Sequence, residues 1–210
     1  MTRSAPLVAL ALLGCIGGPE PLERYRLAPL PAPAAEQRTA SPDSTLPTIG
    51  VEPYSTAGIY ADPQIVFRLG ETTYGSYPNR EWALPLGTML ADATLEIMRS
   101  MPALGARVAD DRAATSHQFV WRGVVQQFEE VNRGKAVSAA VRLDAALVRS
   151  PDDSIVWQGT AGLERSVPDP TMPAIVDALS ELTAAALRRL VTDASGAIAE
   201  QRPQATTLRR

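Results

Sequence analysis

Cysteine and histidine are almost absent from this 210-residue chain: Cys15 and His117 are the only ones. A single thiol excludes an internal disulfide and a cysteine-based zinc site, and a single imidazole excludes a multi-histidine metal centre. Lysine is equally scarce, since Lys135 is the only lysine among 20 basic residues and the rest are arginine. With 23 acidic residues the formal charge is −3, which argues against the clustered basic surface of a nucleic-acid binder. Aromatic residues make up 5% of the chain against 45% hydrophobic residues, so a core of ordinary size must be filled by Ala, Val and Leu. No phosphate loop, Gly-x-Gly-x-x-Gly or Gly-x-Ser-x-Gly motif is present.

Proline is abundant, and it is concentrated at the front. Nine of the 18 prolines fall at or before Pro53. Ahead of that stretch, Met1-Thr2-Arg3 carries one positive charge, and Ala5 to Leu13 is an uninterrupted apolar run. Nine residues are too few to span a bilayer, which takes about 20, but they match the h-region of a secretory signal. Leu12-Leu13-Gly14-Cys15 follows and resembles a bacterial lipobox. There the leader is cut before a cysteine whose thiol forms a thioether to diacylglycerol, and the small residue before it admits the peptidase. On this reading residues 1–14 are a lipoprotein signal peptide and Cys15 is the lipidated N-terminus. The mature chain then has 210 − 14 = 196 residues and, having lost Arg3, a formal charge of −4. Ile16, rather than Asp, follows the cysteine, which by resemblance to bacterial sorting rules directs the anchor to the periplasmic face of the outer membrane.

Residues 15–45 read as a proline-rich stem of extended character, about 100 Å long at ~3.1 Å per residue if fully stretched. Glu23 to Leu27 interrupts it and could be a short strand, though composition alone assigns it to linker. The body is expected over 46–195, with a disordered tail over 196–210. Its first strand is Ile49 to Val51. Gln64–Leu69 and Glu71–Tyr74 form two strand segments about Gly70, and Tyr77-Pro78-Asn79-Arg80 reads as a turn. Leu86, Met89, Leu90, Ala93, Ile97 and Met98 recur at helical spacing behind Pro85. Three strands follow, Phe119–Phe128 with a bulge near Gly123, Ala136–Val148 and a third around Ile155 to Leu163. A last helix begins near Met172, with the stripe Ile175, Val176, Leu179, Leu182, Ala186, Leu187 and Leu190. The fold class is α+β: a two-layer sandwich of an antiparallel or mixed sheet with two amphipathic helices on one face.

Little in this pattern carries chemistry. His117 lacks the partners of a nucleophilic triad and reads as a surface or strand-edge residue. The pairs Asp110/Asp111, Glu129/Glu130 and Asp152/Asp153 read as solvated charges at strand ends, because adjacent strand residues point to opposite faces. Trp82, Trp121 and Trp157 would line either an apolar cavity or the core. No catalytic set, metal site or cofactor site is expected.

The ordered residues do resemble a family. Tyr25-Arg26-Leu27, Ile49-Gly50-Val51-Glu52-Pro53, Tyr60-Ala61-Asp62-Pro63-Gln64-Ile65-Val66-Phe67-Arg68 and Trp82-Ala83-Leu84-Pro85-Leu86 follow the lipobox in this order. The series is similar to that of the ABC-type transport auxiliary lipoproteins, the group typified by paraquat-inducible protein C. Ala61 stands where that family usually has leucine. The resemblance marks Tyr25, Leu27, Pro53, Tyr60, Asp62, Ile65, Arg68, Trp82, Pro85 and Leu86 as fold or partner motif residues, and it implies that Tyr25 to Leu27 docks as a strand. It further implies a non-catalytic accessory of an ABC/MCE-type lipid transport system. The partners would be an MCE-domain protein and a permease, with phospholipid contact and no nucleic acid. An exposed sheet edge would also suit a homo-oligomer. A reading from another class is an outer-membrane assembly or scaffold lipoprotein that binds protein rather than lipid. A third is an envelope hydrolase built on His117.

Overall fold

A computed structural model describes residues 20–29, 46–101, 104, 106–110 and 117–201. The leader, Cys15 and residues 30–45 and 202–210 lie outside them. The elements run β1 (Glu23–Tyr25), β2 (Thr48–Val51), a 3₁₀ turn (Gly58–Tyr60), β3 (Gln64–Leu69), β4 (Thr73–Trp82), α1 (Leu86–Arg99), β5 (Arg107–Asp110), β6 (Phe119–Arg133), β7 (Ala136–Arg149), β8 (Ser154–Ser166) and α2 (Met172–Glu200).

The longest strand, β6, organises the eight-stranded mixed sheet. One of its edges pairs antiparallel with β7 along its whole length, and β7 pairs antiparallel with β8. Its other edge is shared end to end. Parallel β2 takes Phe119 to Trp121, and parallel β3 takes Glu130 to Asn132. Beyond β2 lies β5, also parallel. Beyond β3 lies antiparallel β4, and the outermost strand, β1, runs parallel to β4. Both helices pack on the same side, α2 across β7 and β8 and α1 against α2, β2 and β5. The layer between is filled by Trp121, Phe128, Leu90, Leu143, Leu147 and Leu179, among others. The α+β two-layer architecture is as expected.

The two helical stripes fall where the 3.6-residue period puts them. Pro85 precedes α1, and its carbonyl accepts the Thr88 and Met89 N–H groups. Thr171 caps α2, its Oγ1 accepting from Ala174 N at 3.3 Å. No helix among the described residues is long and apolar enough to cross a membrane.

The structure differs from the sequence reading at six places. Residues 77–80 are not a turn but the middle of β4. The register of β3 on β4 shifts there, so Pro78 sits at an irregularity where the ladder demands no donor. Glu129, Glu130 and Asn132 continue β6 although they break its apolar alternation, and the hairpin is confined to Gly134 and Lys135, with Gly134 at φ 66°. The bulge in β6 falls between Val125 and Gln127 rather than at Gly123. Strand β5 was not foreseen, and α2 continues through residues 196–200. Strand β1, which composition alone assigns to linker, is formed by pairing with β4 at Arg80, Glu81 and Trp82.

Glycine 123 has a different use. Its missing side chain leaves room for the Tyr54 ring, whose Cδ1 would lie 2.2 Å from an added Cβ. At Gly87, in the first turn of α1, an added Cβ would meet the Tyr54 carbonyl oxygen at 2.1 Å. Gly196, within α2, has nothing within 4 Å of that position. Thermal or chemical unfolding is therefore expected to show Gly87→Ala destabilised by about 1–3 kcal/mol through overpacking. Gly196→Ala gains about 0.5–1 kcal/mol from helix propensity.

Candidate functional site

Tyr54, directly behind Pro53, joins the end of β2 to α1 and β6. The Trp121 indole N–H donates to the Tyr54 hydroxyl at 3.0 Å, and that hydroxyl lies 3.0 Å from Thr94 Oγ1. Thr94 Oγ1 donates to the Leu90 carbonyl at 2.8 Å. The Tyr54 proton is thus directed at Thr94, and every polar atom in this buried chain is satisfied. Burial pushes the Tyr54 phenol up to about 12. Trp121 also stacks on Trp157, with centroids 5.4 Å apart, and Trp82 meets Phe128 edge-on at 5.5 Å. The three tryptophans are therefore packing residues, in or against the core.

A second cluster lies across β3 and β6. Glu129, with 0% exposure, accepts from Arg68 Nε at 2.7 Å, from Gln127 Nε2 at 2.9 Å and from the Tyr60 hydroxyl. Arg68 is 6% exposed, and its Nη1 donates to the Gly70 carbonyl at 3.0 Å and to Glu71 at 3.2 Å. The same guanidinium therefore clamps β3 to β6 and holds the β3–β4 turn. On the opposite face of β6, Glu130 accepts from Tyr77 at 2.9 Å and from Asn132 at 2.7 Å. Burial, and then the adjoining carboxylates, hold the Tyr60 and Tyr77 phenols well above the usual tyrosine range. The expectation that Glu129 and Glu130 are solvated turn charges is overturned, because β6 extends through both.

The N-terminal segment is the third feature. Tyr25 is half-buried at the edge of the core and Leu27 is buried in it. Ala28 N–H then donates to Ser180 Oγ at 3.0 Å, so the chain crosses from the sheet edge onto α2. Ala28 and Pro29 help line an open groove of about 350 Å³ together with Ser180, Ala184 and Arg188.

The motif residues thus separate by place. Tyr60 and Arg68 are brought together on Glu129. Ile65, Trp82 and Leu86 are buried in the shared core, whereas Pro53, Asp62 and Pro85 are exposed. Cys15 lies outside the described residues. His117 is 9% exposed rather than on the surface, because Gln118 N–H bonds the Thr48 carbonyl at 3.1 Å and draws the start of β6 onto β2. Asp152 and Asp153 occupy the β7–β8 turn, where Asp152 accepts from Ser154. Among the described residues no group of three or more His, Cys, Asp or Glu side chains is arranged to hold a metal. Sequence reasoning missed Tyr54 and Glu129. Gly87 and Gly123 were the signals for Tyr54, since a glycine within an element marks a close approach.

Arg68→Met strips a buried carboxylate of its cation, and denaturant titration is expected to show a loss of about 3–5 kcal/mol. Glu71→Ala, which removes the exposed partner of the same arginine, is expected to cost about 0–1 kcal/mol. A raised tyrosine pKa in the folded state means stability that is complete below the unfolded value near 10 and lost as pH rises through the folded value. Urea midpoints are therefore expected to fall steeply between pH 10 and about 12, and Tyr54→Phe is expected to flatten that slope.

The open face of the sheet, opposite the helices, is polar. Arg122 pairs with Glu52 at 3.2 Å and Asp153 at 3.3 Å, and Asp144 accepts from Gln126 and Thr160, each at 2.7 Å. Such exposed pairs contribute about 0–1 kcal/mol each and fix surface character more than stability.

No curated protein matches the chain. The fold is shared with a crystal structure of a Xanthomonas campestris protein of the DUF330 family. The two are 24% identical with a TM-score of 0.62, and the match covers 74% of this chain and 89% of that one. A crystal structure of an uncharacterised protein aligns at TM-score 0.65 and 16% identity, over 83% of this chain and 99% of that one. A PelC dodecamer from Paraburkholderia phytofirmans is more distant, at TM-score 0.44 and 14% identity over 71% and 89% of the two chains. Residues 25–191, from the middle of the docked N-terminal segment through most of α2, match a family described as the ABC-type transport auxiliary lipoprotein component, and the chain belongs to that family.

Proposed function

We propose that this protein is the outer-membrane-anchored accessory of an MCE-type lipid transport system, held on the periplasmic face by acylated Cys15 and acting without chemistry of its own. Family membership from β1 to α2 carries the reading. The match takes in Tyr25 to Leu27, which supports reading the docked end of the segment behind the candidate anchor as part of the family's fold rather than a spacer. The acidic pair that general acid–base chemistry would need supports the same view, since Glu129 and Glu130 are each taken up by tyrosine, arginine or amide donors. The space between helices and sheet is filled by side chains, so phospholipid contact falls to surface grooves such as that beside Pro29. The protein's partners are an MCE-domain protein and a permease, which it meets through that exterior.

The test is a Cys15→Ser chain expressed in the native bacterium. Wild type is expected to carry acyl groups on Cys15 by intact-mass measurement and to sediment with the outer membrane. The variant is expected to be released into the periplasm, with the envelope sensitised to detergent. A variant that stays in the outer membrane and supports full envelope integrity overturns the reading. Lipid extracted from the released variant distinguishes direct lipid handling, where phospholipid co-purifies reproducibly, from a purely protein-binding role.

A further inference from the structure

We infer that the end of the sheet bearing the β3–β4 turn faces the membrane, and that Leu69 and Tyr74 are its contacts with the phospholipid surface in which the chain's own anchor sits; this rests on the lipid-anchor reading of Cys15. The argument starts from where the fold takes hold of the chain. Asn79 Nδ2 donates to Glu20 Oε2 at 3.3 Å, and three residues later β1 is in register with β4, Glu23 opposite Arg80. Only the five steps from Cys15 to Glu20 separate the anchor from a placed residue, and fully extended they span at most about 17 Å. The fold thus holds the last three of the eight steps between Cys15 and Glu23.

Direction follows from register. Because β1 is parallel to β4, the chain traced backwards from Glu23 runs toward the first residues of β4 and the turn that joins it to β3. Tyr74 lies opposite Arg68 and Glu81 opposite Gln64, four residues apart on β3, so the turn is about 13 Å along the sheet from β1. Cys15 is eight residues before Glu23, about 27 Å at full extension. The anchor thus reaches the level of the turn. The opposite end of the sheet is out of reach. Phe67 is level with both Gly75 and Glu130, which places Tyr77, and Glu20 beside it, near residue 128 of β6. From there to Phe119, where β6 begins beside Arg149 and the β7–β8 turn, is about nine residues, or roughly 30 Å.

The surface at the near end suits a lipid interface. Leu69 and Tyr74 are large apolar side chains left exposed. Leu69 and Tyr74 flank the turn, each beside the other's cross-strand partner, Thr73 and Arg68. Tyrosine, with an apolar ring and a polar tip, is the residue that settles at the headgroup level. The turn is also held rather than loose, because Arg68, fixed on buried Glu129, donates to the Gly70 carbonyl. Exposed Ile155 in β8 and Val124 in mid-β6 lie away from this end and serve as internal controls.

The experiment uses the full lipidated chain, purified from membranes and reconstituted in phosphatidylethanolamine–phosphatidylglycerol vesicles. With Cys15 acylated, a cysteine introduced by Leu69→Cys, Tyr74→Cys, Val124→Cys or Ile155→Cys is the single labelling site for an environment-sensitive fluorophore. Nitroxide lipids then report proximity. Labels at 69 and 74 are expected to be quenched several-fold more than labels at 124 and 155. Equal quenching at 155 or 124 overturns the inference, since the domain would then lie flat or reversed. Flotation with the vesicles but no quenching at any site overturns the inference and leaves the anchor reading standing. Failure to carry acyl groups and to float overturns both.

Discussion

The Tyr54 hydroxyl accepts from the Trp121 indole and lies within hydrogen-bond distance of Thr94, both at 3.0 Å, while the backbone of the same residue bonds Gly87 at the head of α1 through Tyr54 N–H at 3.0 Å. Glu52 N–H and Ser55 N–H on either side bond the carbonyls of Trp121 and Gly123. This short segment is where the chain, having paired as β2 with the first part of β6, crosses over before β3 pairs with the last part. If Tyr54 were not seated over Gly123, the two short strands would have no reason to share one edge of β6, and α1 would have no fixed starting point. The Arg68–Glu129–Tyr60 cluster repeats the same task at the other end of that edge. It replaces an apolar contact by a buried, fully bonded ion pair, which defines register more strongly than it adds stability.

The helices and β7 were legible because their apolar periods run over more than ten residues, whereas the alternation of β6 breaks at its bulge and again at Glu129. The edge-sharing arrangement was not. Short strands of three or four residues, such as β1 and β5, carry no period to read, and parallel pairing of β2 and β3 with β6 depends on partners distant in sequence. Glu129 was misread for a related reason: an acidic residue in a strand looks solvated until its arginine, 61 positions earlier, is folded against it. Of the motif residues, Ile65, Trp82 and Leu86 proved to be core, and Tyr60 and Arg68 proved to be one cluster. The family series is in large part a record of what builds the fold.

The docked N-terminal segment changes how the front of the chain is understood. Composition presents residues 15–45 as one proline-rich stem. The fold seizes that stretch at Glu20 to Pro29, first as a sheet edge and then across α2 at Ser180. What separates Cys15, the proposed anchor, from the domain is therefore short. Residues 30–45 join Pro29, beside α2, to Leu46, ahead of β2, instead of adding reach. On the proposed reading, one end of the domain is committed to its membrane, and the rest of its exterior, including the polar open face, is left to the transport machinery.

The central claim is that this domain serves lipid movement across the envelope. The direct measurement is the rate of phospholipid exchange between inner and outer membranes, followed by isotope pulse–chase in the native bacterium with and without this chain. The account predicts a slower exchange in its absence, no further slowing when its MCE-domain partner is also removed, and recovery with wild type but not with Cys15→Ser. Exchange that proceeds at the wild-type rate without the chain, under conditions where loss of the MCE-domain protein slows it, contradicts the account.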